Sequence, residues 1–274
     1  MAVAYSARDP AGRGIGRELA SLLDARKVDC PQAVECYAAG EYRIAGFDAE
    51  PIELEMIGET PDPSATAVIV LSRHRAESGK KSLTLHHPGN PTKSTLGGEP
   101  EVLAIAHPPL AKTLFKSLKR AAGETGLGET HEVVLEATHH GPTSPSKPVV
   151  FIELGSTPED WKNPQGWRTV ALAVAMVLED PKLEACTPVA AFGETHYPQK
   201  FTEIQLNSSE LCIGHIIPRY AFRQGLSESV LRQALTRSEP RAEKALVRKK
   251  SLRSSEIGAV LKAAQELGIQ VETI

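Results

Sequence analysis

Apolar residues along the chain fall into short continuous runs separated by turn-forming residues, of which Ala67-Val68-Ile69-Val70-Leu71 is the clearest. Runs of this length without polar alternation predict strands buried on both faces. Strands are expected at Ala2–Ser6, Ile52–Ile57, Thr66–Leu71, Ser82–His86, Val102–Ile105, Glu132–Leu135, Val149–Leu154, Thr187–Phe192 and Leu211–Ile217. Helical spacing appears between them. Ile15–Asp24 puts Ile15, Leu19 and Leu22–Leu23 on one side, and Leu110–Ala122 does so with Leu110, Leu114 and Leu118. Gly166–Leu178 is apolar nearly all round and predicts a packed helix. The alternation predicts an α/β fold with a mixed, mostly central sheet and flanking helices.

The C-terminal part has a different texture. Ser227 can cap a helix running to Leu235, with Glu228 favourably placed in its first turn. Ala245-Leu246-Val247 then precedes the basic link Arg248-Lys249-Lys250. Ser254 or Ser255 is expected to cap a helix over Glu256–Leu267, ended by Gly268 before a last strand, Ile269–Thr273. The expected division is a catalytic α/β body over 1–222 and a basic α/β segment over 223–274, either a small subdomain or an outer layer of the same body. No repeat or low-complexity tract interrupts this plan. The longest stretches without predicted structure are His87–Pro100 and Thr138–Pro148, and loops of that length in compact domains are often functional.

Composition narrows the class. A chain of 274 residues, 41% hydrophobic and 24% charged, is long enough to bury a core without covalent staples. Cys30, Cys36, Cys186 and Cys212 form no CxxC pair and sit mostly in apolar runs, so buried free thiols are expected and a disulfide scaffold is not. The first residues lack a signal-peptide stretch, and nothing approaches a membrane span of about 20 apolar residues. A cytoplasmic protein that engages no membrane is therefore expected. The net charge of −3 is uneven: Ile216–Ile274 carries 11 Lys and Arg against 6 Asp and Glu, a local +5 on a body of −8. A basic tail on an acidic body suits a polyanionic partner, although a solvated helical face has the same composition.

Nine histidines supply the candidate chemistry. His86 and His87 fall where a strand meets the first long loop, and His139 and His140 open the second. His196 follows Thr187–Phe192, and His74 follows Thr66–Leu71. Open α/β sheets gather ligands at the C-terminal ends of strands, so these four loops are expected to converge on one crevice. Neutral imidazole is a zinc ligand, and its pKa of about 6.5 also suits proton transfer. Glu136-Ala137-Thr138-His139-His140-Gly141-Pro142 offers a carboxylate and two imidazoles within five residues, with Gly141 and Pro142 turning the chain sharply. Glu136 can be a ligand, a general base or a partner that orients an imidazole. Without HExxH or paired cysteines, a metal is permitted rather than demanded.

Other patterns carry less. Gly12-Arg13-Gly14-Ile15-Gly16 follows a strand and opens a helix, where its amides can receive a phosphate, but it matches neither GxGxxG nor a Walker loop. Gly193-Glu194-Thr195-His196-Tyr197 is not the GxSxG elbow. His215 fits a satisfied core histidine equally well. His107 and His131 lack partners in sequence, and Trp161 and Trp167 read as packing residues. The loop Pro88–Ser94, with Lys93, can touch a phosphate or be simply solvated.

Several strings, in order over about residues 6–220, resemble the archaeal and plant-type D-aminoacyl-tRNA deacylases. They are Ser6-Ala7-Arg8-Asp9-Pro10-Ala11-Gly12, Ser72-Arg73-His74-Arg75, His86-His87-Pro88-Gly89-Asn90, Glu136-Ala137-Thr138-His139-His140-Gly141-Pro142, Phe151-Ile152-Glu153-Leu154-Gly155-Ser156, Gly193-Glu194-Thr195-His196-Tyr197 and Gly214-His215-Ile216-Ile217-Pro218. Thr-His-His-Gly-Pro with the downstream Gly-x-x-His-Tyr is the most specific part. Glu194 replaces a glycine of the family pattern and leaves His196 in place.

The resemblance implies hydrolysis of the ester joining a D-amino acid to the 3′ end of tRNA, a proofreading step that keeps D-residues out of translation. It implies a zinc cofactor and a core like that of peptidyl-tRNA hydrolases or nucleoside phosphorylases, with some likeness to zinc carboxypeptidases. On this reading His139, His140 and Glu136 are catalytic, and His86, His140 and His196 are metal ligands. Asp9, His74, Asn90, Lys93, Gly141 and Tyr197 bind substrate. The partner is aminoacylated tRNA, and a monomer is the favoured state. Two other classes share the scaffold: a small-molecule phosphorylase or metallopeptidase-like hydrolase, and a non-catalytic RNA- or metal-binding module.

Overall fold

The computed structural model describes residues 1–53, 55–58, 62–93 and 96–274. The chain runs β1 (Ala2–Ser6), α1 (Pro10–Leu22), β2 (Arg26–Lys27), β3 (Glu35–Ala39), β4 (Tyr42–Phe47), β5 (Val68–Arg75), β6 (Ser82–His86), α2 (Pro108–Glu124), β7 (Glu132–Leu135) and β8 (Val149–Ser156). It continues through α3 (Pro164–Glu179), β9 (Thr187–Phe192), α4 (Gln199–Asn207), β10 (Leu211–Ile217), α5 (Arg219–Arg223), α6 (Glu228–Thr236), β11 (Lys244–Val247), α7 (Ser254–Glu266) and β12 (Gln270–Thr273). The eight-stranded sheet has the order β2-β3-β4-β1-β5-β8-β6-β7, and a four-stranded sheet has the order β10-β9-β11-β12. The second sheet is parallel throughout. The first is mixed, with β6 antiparallel to β8 and parallel to β7.

This is the α/β architecture that the alternating pattern predicts. Helices α1, α2 and α3 bury Ile15, Leu19, Leu114, Leu118 and Val174 against Val3, Ile69 and Ile152 of the central strands in one continuous apolar cluster. The other face of β1, β5 and β8 buries Ala4, Val70, Val149 and Phe151 beside Phe47 and Ile57. Strands covered on both sides carry no polar face, which is why their sequences do not alternate. Gly12, Gly14 and Gly16 serve close packing of α1: a Cβ at each would meet Leu71, Trp167 and Tyr5, respectively, at under 3 Å.

Two strand expectations fail. Ile52–Ile57 forms 3-10 turns at Pro51–Glu53 and Glu55–Gly58, with Leu54 outside the described residues. Its alternating apolar residues mimic a strand, but Ile57 buries as a single plug into the second apolar face. Val102–Ile105 supplies only one isolated bridge, Gly89 to Leu103. The hairpin β3–β4 and the helices α4 and α5 were not foreseen. At the C-terminus Ser227 does cap α6, accepting from the Val230 amide. Helix α7 begins earlier than expected, with Arg253 at its cap position and Glu256 accepting from the Arg253 amide. Strands β11 and β12 extend the sheet that β9 and β10 begin.

The free-thiol expectation is also corrected: Cys30 is bonded to Cys36, and Cys186 to Cys212. Thr187 and Leu211 pair in adjacent parallel strands, bringing together cysteines 26 residues apart, a proximity that spacing cannot reveal. Closing a loop of that length is worth about 3.5 kcal/mol in the chain-entropy treatment. Cys186→Ser is expected to lose that amount, read as a shift of the denaturant midpoint; an unchanged midpoint would mean that the bond contributes nothing to stability. Among the described residues, no helix is long and apolar enough to cross a membrane.

Candidate active site

The site is built around the segment Glu136–His140, which leaves β7 and runs between the two sheets. Its backbone is held from both sides. Glu136 N donates to Leu85 O at 3.0 Å on the β6 side. Ala137 N donates to His196 O at 2.8 Å and Thr138 N to Ile216 O at 2.9 Å on the other. Gly89 N donates to His140 O at 2.6 Å. Thr138 is locked further: its hydroxyl accepts from Ile216 N and donates to Nδ1 of His215, whose Nε2 donates to the carbonyls of Ala104 and Arg237. His215 is thus a satisfied core histidine that fixes the backbone beside His139.

Two buried carboxylates organise the side chains. Glu136 has one oxygen 2.7 Å from His74 Nδ1, and the other 3.4 Å from His139 Nε2 and 3.7 Å from His196 Nε2. Glu153, in the middle of β8, lies 3.4 Å from His74 Nδ1 and 3.7 Å from His86 Nε2. Burial pushes Glu136 up, but contact with His196 and His74 outweighs it and holds the carboxyl well below the usual range. Glu153 behaves alike: burial raises it, and His74 and His86 bring it down to about 2. For His74 burial lowers the pKa, yet the two carboxylates raise it to about 10. His74 is therefore an imidazolium between two anions, and its Nε2 donates to the Tyr197 hydroxyl at 3.0 Å. Trp161 supports it from behind, donating from Nε1 to His74 O at 2.8 Å.

His139 and His140 stay neutral. Burial and the neighbouring His86 and His140 put His139 well below its ordinary pKa. Burial and His86 likewise bring His140 down to about 4. Each donates from Nδ1 to a backbone carbonyl, His139 to Ala137 at 2.8 Å and His140 to Gly141 at 2.7 Å. That leaves both Nε2 lone pairs available, the tautomer and outer-shell bonding usual for metal-ligating histidines. His86 packs against both, its ring stacked on Phe151 at 5.2 Å, with its centroid 4.2 Å from that of His139 and 4.7 Å from that of His140.

Among the described residues, three groups have ligand atoms within 4.8 Å of one another: His86/His139/His140, Glu136/His139/His196 and His74/Glu136/Glu153. Both ring nitrogens of His86 and both oxygens of Glu136 are buried without an aligned hydrogen-bond partner. Orphaned buried polar atoms are costly, and a bound cation would satisfy them. The residues present therefore fit a metal ion. The expected trio of His86, His140 and His196 is regrouped, with His139 joining the first two and His196 falling beside Glu136 and His139. The opening is on the His139 and His196 side, where the side chains are 22% and 31% exposed while Glu136 is at 0%.

Of the expected substrate-binding residues, His74 and Tyr197 belong to this centre. Asp9 caps α1, accepting from Ala11 N at 2.9 Å and from Arg73 N at 2.7 Å, so its carboxylate is engaged by the fold. Asn90 is buried and donates to Gly97 O and Glu99 O, leaving Oδ1 without a partner. Lys93 is exposed, and Ser94 of the same loop lies outside the described residues. Gly141 provides close approach: a Cβ there would meet Ile52 O at 2.6 Å and Gly98 N at 2.7 Å. His107 caps α2, as a solitary histidine should. Glu153 and Tyr220, whose hydroxyl is 3.4 Å from His196 Nδ1, were missed as site residues. A glutamate inside the apolar run Val149–Leu154 was the visible signal for the first.

Fold and site together define a class: a mixed α/β protein whose strand ends enclose a buried histidine–carboxylate centre suited to a metal ion. The chain belongs to the D-aminoacyl-tRNA deacylase family, whose model matches residues 61–272. It is 59% identical to a D-aminoacyl-tRNA deacylase of Aeropyrum pernix, over 100% of this chain and 99% of the relative. It is 37% identical to one of Staphylothermus marinus, over 99% and 98%. The crystal structure of the conserved protein of unknown function AF0625 superposes with a TM-score of 0.90 at 30% identity, covering 99% of this chain and 94% of that one.

Proposed function

We propose that the chain hydrolyses the ester bond of D-aminoacyl-tRNA, releasing the free D-amino acid and tRNA. The observation that carries this reading is the Glu136–His74–His139–His196 cluster in a chain that matches a deacylase relative over 100% of its residues. Ester hydrolysis needs a water delivered to the carbonyl carbon, a donor for the developing oxyanion and a positioned ribose. Water adds to the carbonyl carbon, the bond to the ribosyl oxygen breaks, and that oxygen leaves with a proton.

His86, His139 and His140 would hold zinc through their ring nitrogens, with Glu136 and His196 beside them. Zinc bound there supplies Lewis acidity and lowers the pKa of water to about 7. The protein's own groups do the rest. Glu136, kept ionised by its neighbours, anchors the His74 imidazolium and lies beside His139 and His196 rather than acting as a strong base. Tyr197 stays protonated, because burial and the nearby carboxylates push its pKa far up. Its hydroxyl, held by His74, is placed to donate to the substrate carbonyl oxygen as negative charge develops. The reading places the chain in solution beside tRNA, with cytoplasm as its compartment and proofreading as its role.

The test is release of labelled tyrosine from D-tyrosyl-tRNA beside the L-form. Release from the D-form alone is expected, and its complete loss in His139→Ala and in His140→Ala. Equal release from both forms would overturn the chiral reading, and no release from verified substrate would overturn the deacylase reading.

A further inference from the structure

One group of cations has no role in this chemistry. Arg219, Lys249, Lys250 and Arg253 are all exposed, and none of the four makes an ion pair among the described residues, unlike neighbouring Arg232 and Arg248. They border the loop Gly193–His196, which reaches the site. Arg219 N donates to Glu194 O at 2.9 Å from one side. From the other, Ser251 Oγ accepts from Glu194 N at 2.8 Å, and Arg248 Nε lies 3.3 Å from Glu194 Oε1. The contact is close enough that a Cβ on Gly193, at φ +112°, would come within 2.4 Å of Ser251 Oγ. His196, two residues beyond Glu194, lies 3.7 Å from Glu136 at the heart of the site.

The basic turn is therefore clamped to the loop that carries His196. Unpaired guanidinium and ammonium groups on an otherwise acidic protein are a local field for a polyanion. A protein of net charge −3 can engage RNA only where its cations are concentrated. We propose that Arg219, Lys249, Lys250 and Arg253 bind backbone phosphates of the tRNA acceptor end, so that the terminal aminoacyl ester enters past His196. This rests on the deacylase reading for the identity of the RNA, and it assigns the docking surface that the reading requires. The Glu194 carboxylate takes Arg248 and leaves the four outer cations without an ion pair among the described residues.

The experiment measures binding of uncharged tRNA to the intact protein across a salt titration, which needs no turnover. Losing three phosphate contacts is expected to reduce the slope of log K against log salt by about 2, at about 0.7 per contact. Lys249→Ala/Lys250→Ala/Arg253→Ala should show that change and at least a tenfold weaker Kd at physiological salt. Lys119→Ala/Arg120→Ala, on the far part of α2, should keep the wild-type slope. Lys250→Glu alone changes one exposed side chain and tests the surface should the triple variant fold poorly; a loss of tRNA affinity is expected there too. Wild-type slope and affinity in the folded variants would overturn the proposal. Cleavage of D-tyrosyl-adenosine by the wild-type protein, a substrate without the acceptor phosphates, separately tests the deacylase reading. The surface can thus fail while the activity stands, or the reverse.

Discussion

Glu136→Gln is expected to lower kcat for D-tyrosyl-tRNA by a factor of about 10²–10⁴, the range for losing an acid–base or orienting group. The amide keeps the shape of the carboxylate and removes its charge. Glu136 lies beside His74, His139 and His196 at once, so one substitution changes the charge that three rings face. His74 would retain only Glu153 as a counter-ion, and its pKa would fall from about 10 because burial would then face one anion rather than two. The readout is single-turnover release of labelled D-tyrosine together with the pH profile. Turnover within threefold of wild type, with an unchanged profile, would remove Glu136 from the mechanism.

Exhaustive chelation is the second large effect. Selective D-release should disappear and return on adding zinc, because the buried His86 ring, without a hydrogen-bond partner on its nitrogens, would again have a ligand. Stability offers an independent readout. A ligand at a hundred times its Kd stabilises the native state by about 2.7 kcal/mol, or a rise in Tm of about 5 °C for a chain of this size. Zinc should therefore raise the melting temperature of the chelated protein, and His86→Ala should abolish that rise. Selective release that survives complete demetallation would keep the substrate and move catalysis onto the imidazoles or the RNA itself.

Much of the frame was legible because burial on both faces leaves a mark in one dimension. Ala2–Ser6, Ser82–His86, Glu132–Leu135, Thr187–Phe192 and Leu211–Ile217 are strands with the boundaries expected from their apolar runs. The three large helices were recognised as well, with ends displaced by a few residues where Asp9, His107 and Asn163 cap them. Half-buried strands such as β3 and β4 were missed because one face meets solvent and their composition is mixed. The convergence of His74, His86, His139, His140 and His196 was also foreseeable, since each follows or ends a strand.

By itself the sequence determined the alternation of elements, the concentration of histidines at strand ends and the family resemblance. Each of these is a local property, set by residue type and short-range spacing. Tertiary structure decided which histidine faces which carboxylate. It joined His139 to His86 and His140, set His196 beside Glu136, brought Glu153 under His74, and paired the four cysteines. It also withdrew Asp9 into a helix cap and clamped the basic turn to the His196 loop. Those relations join residues tens of positions apart, and their distances follow from sheet order and register, which no run of neighbouring residues records.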